Sequence, residues 1–255
     1  MAIGADAAAT ALAGAWQHML GAVPGGWAMP AAGAVALVTG VPGPALNGVW
    51  AMRTDPDPGI VEGLLDRVAA TGLPHCLQLR PGGSGELAAL AAGRGMHRER
   101  DHPLMVLEDP APPGAARQVR TGLTIRRLAP EEAGLHATVA EAGFGAPDGL
   151  FRQLVTPDML RLPGVRCYVG EAGGRPVTTG MGVTVGGSAG VFDIATVPAC
   201  RGRGYGAAIT ARVVRDGFAS GAAWAWLQSS PDAQGLYERL GFRSAGLFHV
   251  WLRAG

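Results

Sequence analysis

Lysine is absent from this chain, and all 21 basic residues are arginine. A nucleoside-triphosphate loop ending in Gly-Lys-Ser/Thr is therefore excluded. Asparagine occurs once, at Asn47, and isoleucine is scarce. A coding sequence rich in G and C produces this bias by favouring Ala, Gly, Arg and Pro, so 41 glycines do not by themselves mark a glycine loop. Cysteine is sparse. Cys76, Cys167 and Cys200 are far apart, no CxxC occurs, and the six histidines form no HxxxH. A metal site and a disulfide scaffold are not expected, and a reducing cytoplasm fits. Charged residues are only 16%, the net charge is +1 and no basic run exists, so no nucleic-acid partner is expected. The apolar run Ala31 to Val41 is too short to span a bilayer, and no basic region precedes an apolar one at the N-terminus. Neither a membrane partner nor a signal peptide is expected.

What is present suffices for a real core. The chain has 255 residues and 48% hydrophobic residues, enough for one large domain or two small ones. Asp109-Pro-Ala-Pro-Pro-Gly-Ala, running on to about Arg120, reads as a connector because proline and glycine prevent regular structure. The division expected is 1–112, a linker 113–121 and a second domain 122–255. In the second part, patterning predicts a strand Leu123–Arg127, a helix from Pro130 to about Ala142 and a helix Gly149–Met159. Strands Arg166–Glu171, Val177–Val185 and Gly190–Val197 follow, joined by Gly173-Gly174 and Gly186-Gly187 turns. Then come a helix Gly204–Ser220, a strand Ala223–Gln228, a helix Pro231–Leu240 and a strand Leu247–Arg253. This is an α+β plan, mixed α/β, with a mixed and mostly antiparallel sheet.

An internal repeat is present. Gly48-Val49-Trp50 to Thr54-Asp55-Pro56 matches Gly190-Val191-Phe192 to Thr196-Val197-Pro198 at identical spacing. Further on, Leu77-Gln78 pairs with Leu227-Gln228, and Gly95-Met96 with Gly241-Phe242. Sixteen residues separate Pro56 from Gly72, against 23 from Pro198 to Gly221. The seven missing residues are the length of the second copy's arginine-glycine loop, and the order of matches points to duplication.

That loop, Arg201-Gly202-Arg203-Gly204-Tyr205-Gly206, leads from a strand into a helix with an apolar face at Ala207, Ala211, Val214 and Phe218. Free backbone N–H groups and the positive end of the helix dipole meet there, and Arg201 and Arg203 add charge, so the expected ligand is an anion. The pattern is not G-x-G-x-x-G, which argues against a dinucleotide loop.

The run Thr196 to Gly206 resembles motif A of the GNAT superfamily of acyl-CoA-dependent N-acyltransferases. Ser230 to Phe242, with Tyr237 four residues before Gly241, resembles that superfamily's motif B. The resemblance covers about 123–255 and extends weakly through the repeat to 48–108. It implies a GNAT fold preceded by a smaller, degenerate GNAT-like domain that lacks the loop and helps wall the acceptor site. Acetyl-CoA is the implied cofactor, and a small-molecule or peptide amine the implied acceptor. Backbone at Ala195, Thr196 and Val197 is implied to pair with the pantetheine arm. The amides of Arg203, Gly204, Tyr205 and Gly206, with Arg201 and Ala207 beside them, are implied to hold the pyrophosphate. Ser230 stands where a cofactor-contacting asparagine is common, and Tyr237 is implied to be the general acid. Ala91 falls near the position corresponding to Tyr237.

The general base departs from the family. Alternation puts Gly190 and Phe192 on the face of Ile194 and Thr196, and neither takes a proton. Asp193 faces the other side unless a bulge re-aims it and is one candidate base, Glu171 is a further one, and a remote carboxylate acting through water or an amine already partly neutral are the other readings. The missing base supports a rival, a non-catalytic acyl-CoA-binding sensor. Gly186-Gly187-Ser188-Ala189-Gly190 satisfies G-x-S-x-G, but it lies between two strands, where a nucleophile elbow needs strand then helix. A pseudo-dimer within one chain suggests a monomer or weak homodimer.

Overall fold

The computed structural model describes residues 2–83, 85–109 and 122–253. The proposed linker at 113–121 lies outside the described residues. The first half contains α1 (Ala5–Leu20), β1 (Trp27–Ala31), β2 (Ala34–Val38), β3 (Asn47–Ala51), α2 (Pro58–Ala69), β4 (His75–Leu79), α3 (Glu86–Gly93), β5 (His97–Arg98) and β6 (His102–Leu107). The second contains β7 (Leu123–Arg127), α4 (Ala133–Phe144), α5 (Leu150–Leu154), α6 (Pro157–Arg161), β8 (Val165–Ala172), β9 (Arg175–Val185) and β10 (Ser188–Thr196). It ends with α7 (Tyr205–Ala219), β11 (Trp224–Gln228), α8 (Gln234–Arg239) and β12 (Arg243–Arg253).

All the strands join one mixed sheet in the order β1-β2-β3-β4-β12-β6-β11-β10-β9-β8-β7, with β5 also on β12. Most pairs are antiparallel; β3 with β4 and β10 with β11 are parallel. The repeat seen in the sequence recurs in the register. Gly48 opposes Cys76 as Gly190 opposes Trp226. Counting on from Gly95-Met96 and Gly241-Phe242, His102 and Phe248 hold the same place, and these two residues pair with each other. They mark the centre of a pseudo-two-fold relation. Equivalent glutamines meet across it, Gln228 Nε2 donating to Gln78 Oε1 at 2.7 Å.

The halves exchange strands. β6 of the first half lies between β11 and β12 of the second, and the end of β12 lies between β4 and β5 of the first. This explains why β12 begins at Arg243 rather than at the expected Leu247: β6 gives its first residues a partner. One face of the sheet carries α1 and α4 over a core that runs through both halves, including Leu12, Trp50, Leu104, Met181, Trp226 and Phe248. On the other face, α2 packs on Val49 and Leu77, and α7 on Val191 and Leu227, as two separate clusters.

Two local departures have simple causes. The helix expected over Gly149–Met159 is split, because Pro157 has no N–H to continue it and holds Thr156 extended (φ −97°, ψ 165°). Thr156 then caps α6, accepting the Met159 N–H at 3.2 Å. The lone asparagine is fully buried. Asn47 Oδ1 accepts from Thr39 N (3.0 Å) and Gly40 N (3.2 Å), and Nδ2 donates to Val41 O (2.8 Å) and Gly43 O (3.2 Å), clamping the β2–β3 connection.

Candidate functional site

The site begins where two parallel strands part. β10 and β11 pair from Ser188–Trp224 to Gly190–Trp226, after which β10 runs on to Thr196 and β11 to Gln228 without pairing. Gly190 permits the close start of this wedge. A Cβ there would lie 2.6 Å from the Trp226 ring. Beyond it the Phe192 ring fills the α1 side, edge-on to Trp226 (5.4 Å) and to Trp16 (5.9 Å).

β10 carries a bulge between Phe192 and Ala195, where Asp193 and Ile194 oppose a single residue. Asp193 is the one described non-glycine residue with positive φ, 52°. Such a conformation costs on the order of 1–3 kcal/mol and persists only when surrounding contacts impose it. The bulge breaks strict alternation, so the expectation that Phe192 and Ile194 share a face is corrected. Phe192 packs with Trp226 on the α1 face, Ile194 with the α7 cluster, and Ala195 beneath α4. Asp193 is turned to α4, where His136 Nε2 lies 3.4 Å from its Oδ2.

After the bulge the ladder resumes. Val197 N–H donates to Val177 O (3.0 Å), and the Ala195 carbonyl accepts from Thr178 Oγ1 (2.7 Å). Backbone groups of Ala195 and Val197 thus face β9. Thr196, between them, directs its own N–H and carbonyl the opposite way, toward the gap. Of the three candidates, Thr196 alone presents its backbone there.

A short turn, Pro198–Cys200, and the arginine-glycine loop lead to Gly204, which caps α7 at φ 82° with no side-chain acceptor. Gly206 and Ala207, in the first turn, have N–H groups without an intrahelical acceptor, and with the dipole they give this end the geometry that suits an anion. Gly206 faces the end of the wedge: a Cβ there would sit 3.6 Å from Leu236, 3.8 Å from Thr196 Oγ1 and 3.9 Å from Ile194. Strand end, helix start and α8 therefore converge on one cradle that a side chain would fill.

The two arginines differ. Both are exposed, but Arg201 is tethered, donating to Gly143 O at 2.5 Å and Thr196 O at 3.3 Å, so it fastens the loop to α4 and β10. Tyr205 is buried beneath the loop. Ser230 is exposed at the start of a short turn and makes no capping bond; its neighbour Ser229 is buried, with its N–H on Pro103 O (2.8 Å).

Tyr237 is buried on α8, edge-on to Phe242 at 6.0 Å. Burial pushes its hydroxyl up to about 12, so it keeps its proton through the neutral range. Glu171 is drawn to the sheet edge by Arg126, 3.2 Å away. Ser188 accepts from Trp226 Nε1 at 3.2 Å in a strand-to-strand turn, which is no nucleophile elbow. Sequence reasoning missed His136 and Thr179. The available signal was a lone histidine between Ala133, Ala137 and Ala140, on a helix face otherwise apolar.

With this geometry in view, comparison with known proteins shows what the chain resembles. Residues 163–244 match the family model described as Acetyltransferase (GNAT) domain. That match lies within the second half of the chain, and the mixed sheet with flanking helices has the fold of GNAT acetyltransferases. A GCN5-related N-acetyltransferase from Kribbella flavida has the same fold at 22% identity, covering 100% of this chain and 97% of its own, with a TM-score of 0.68. One from Sphaerobacter thermophilus gives 18% identity, 86% and 80% coverage and a TM-score of 0.62. A tandem GNAT protein from the clavulanic acid biosynthesis pathway gives 16% identity, 87% and 79% coverage and a TM-score of 0.57. No protein of curated function matches the chain.

Proposed function

We propose that this chain is an acyl-CoA-dependent N-acetyltransferase that moves acetyl from acetyl-CoA to a primary amine by direct attack while both are bound. The observation that carries the reading is the uncapped N-terminus of α7 beside the parted ends of β10 and β11. An anion with a long extended arm fits both features. The Gly206 and Ala207 N–H groups and the exposed Arg203 match a pyrophosphate, and the Thr196 backbone, whose carbonyl Arg201 engages, borders the gap an amide-bearing arm would follow. The bound thioester would supply an activated carbonyl.

In this reading Asp193 takes the proton that the amine gives up on forming the new C–N bond. Tyr237 donates its phenolic proton to the sulfur as the C–S bond breaks. Holding donor and acceptor together supplies much of the acceleration. The first half, residues 1–112 in this division, would be a degenerate GNAT-like partner without cofactor, and the expected state is a monomer or weak homodimer in the cytoplasm.

The test is calorimetry with acetyl-CoA, followed by an amine panel read by release of free thiol. Wild type is expected to bind, and Arg203→Ala combined with Gly204→Ala to lose binding. Tyr237→Phe should lower kcat by about 10²-fold and leave acetyl-CoA affinity unchanged. Binding without turnover on any amine would leave an acyl-CoA sensor; absence of binding by wild type would sink the reading.

A further inference from the structure

The histidine behind Asp193 has no part in the reading so far, yet its contacts determine where a proton must be. The His136 side chain on α4 is completely buried, and that of Asp193 is 18% exposed. His136 Nδ1 lies 2.7 Å from Thr179 Oγ1. Thr179 has one hydroxyl proton and donates it to the Tyr168 carbonyl at 2.8 Å. The hydroxyl can then only accept from the ring, so Nδ1 carries a hydrogen. In a neutral ring Nε2 would present a bare lone pair to a carboxylate oxygen 3.4 Å away. Two acceptors facing each other out of water repel. The arrangement is satisfied only when one proton lies between them, on Nε2 or on Asp193.

We propose that Asp193 and His136 form a single proton-holding unit, in which His136 is a positioning residue and the Asp193 carboxylate exchanges the proton with the acceptor amine. The proposal rests on the acetyltransferase reading for its reaction, but not for the state of the pair. Its resting form already holds one proton. That proton must leave through the exposed edge of Asp193 before turnover. The deprotonated pair is then a strong base, because taking the amine's proton removes the lone-pair repulsion. In the step itself the amine nitrogen loses H⁺ to Asp193, the N–C bond forms, and the C–S bond breaks with the Tyr237 proton going to sulfur.

Apart from Cys167, which also hydrogen-bonds the His136 ring, the surrounding polar groups are engaged elsewhere. On α4, Glu141 accepts the Phe151 N–H, and Glu132 near its start is engaged by Arg126 and the Ala129 N–H. From α1, His18 is turned to Pro163 O, and from the loop Arg201 is on Gly143 O. β9 carries no charge between Val177 and Val185, and Asp193 is the only charged residue of β10. From β8, Cys167 acts on the ring. Burial favours the neutral imidazole, while Cys167 and Asp193 favour the charged one and prevail, so the ring is held above its usual range.

The experiment is nitrogen NMR of the full chain labelled with ¹⁵N-histidine, without ligand, the His136 signals being assigned by their absence in His136→Gln. From pH 6 to 8, Nδ1 is expected to stay protonated and the ring not to titrate. Asp193→Asn should move the Nε2 signal to the unprotonated position. A bare Nδ1, an ordinary midpoint near 6.5, or no response to Asp193→Asn would overturn the proposal. Kinetics give the second arm. In wild type, kcat should rise about tenfold per pH unit above neutrality until the pair is deprotonated. Thr179→Val, which keeps the core filled, should displace that rise by at least one pH unit (roughly 1.4 kcal/mol), with KM for acetyl-CoA unchanged. Superimposable profiles would reduce His136 to a packing residue. If no amine is acetylated, the acetyltransferase reading fails while the NMR result still decides the pair.

Discussion

The two halves are built on the same strand register and differ where a helix begins. In the first, α2 starts one residue after Asp57, whose carboxylate accepts the Ile60 N–H at 3.1 Å. The helix supplies its own anion. In the second, Gly204 offers no side chain to the N–H groups of Gly206 and Ala207. The wedge differs too. Thr54 is the counterpart of Thr196, and Gly83 packs so tightly against its carbonyl that a Cβ would come within 2.3 Å. Where the second half has Tyr237, the first has the buried Ala91; both accept a closing bond at 3.0 Å, from Phe242 N–H and Met96 N–H. One scaffold thus carries a side-chain-capped helix start and an uncapped one, and the difference is a few residues at a helix cap and a strand end.

The most drastic way to break this comparison is to separate the halves. Each lacks a strand that the other supplies, so 2–109 and 122–253 expressed alone should fail to fold, as read by circular dichroism. Co-expressed, they should co-purify as a folded pair. Independent folding of either would show that the strand exchange is dispensable.

Copying the first half's cap into the second is the next test. Gly204→Asp places a carboxylate on the N–H groups proposed for the pyrophosphate, and calorimetry should find acetyl-CoA affinity at least about a hundredfold lower, near 2.7 kcal/mol by the tenfold-per-1.4 rule. An unchanged affinity would mean the anion sits elsewhere.

A subtler contrast concerns the equivalent glycines. A Cβ at Gly48 would lie 2.2 Å from the Cys76 carbonyl oxygen, whereas at Gly190 it meets a Trp226 ring that can shift. Gly48→Ala should therefore be the more destabilising in urea melts, with overpacking of this kind costing about 1–3 kcal/mol. The opposite order would mean the β3–β4 pair is the softer of the two. Smallest is the seam itself. Gln228→Leu removes one hydrogen bond at the pseudo-two-fold centre and should cost about 0.5–1.5 kcal/mol. A much larger loss would make this contact a keystone between the halves.

Much of the second half could be read directly. Period-two and helical patterning located β7 to β11 and α7, because each buries one face against its neighbours. The loop Arg201–Gly206 was legible as the turn into α7 because its positive-φ steps, Gly202 at 75° and Gly204 at 82°, favour glycine. Asp193 was not. Alternation set it opposite Ile194 but also apart from Phe192, whereas the bulge opposite Gly180 leaves both on the α1 and α4 side, where Asp193 meets His136. His136 was invisible for the same reason. It lies 57 residues away in the chain, and nothing local ties it to Asp193.

By itself the sequence determined the strand-and-helix order, the repeat and the uncapped helix start, since these depend on neighbouring residues and short periods. Tertiary structure alone decided that β6 and β12 cross between the halves and that Arg201 ties its loop to α4 and β10. It also decided that a buried histidine faces a strained aspartate. Those outcomes depend on which distant surfaces pack together, and local patterning does not encode that choice.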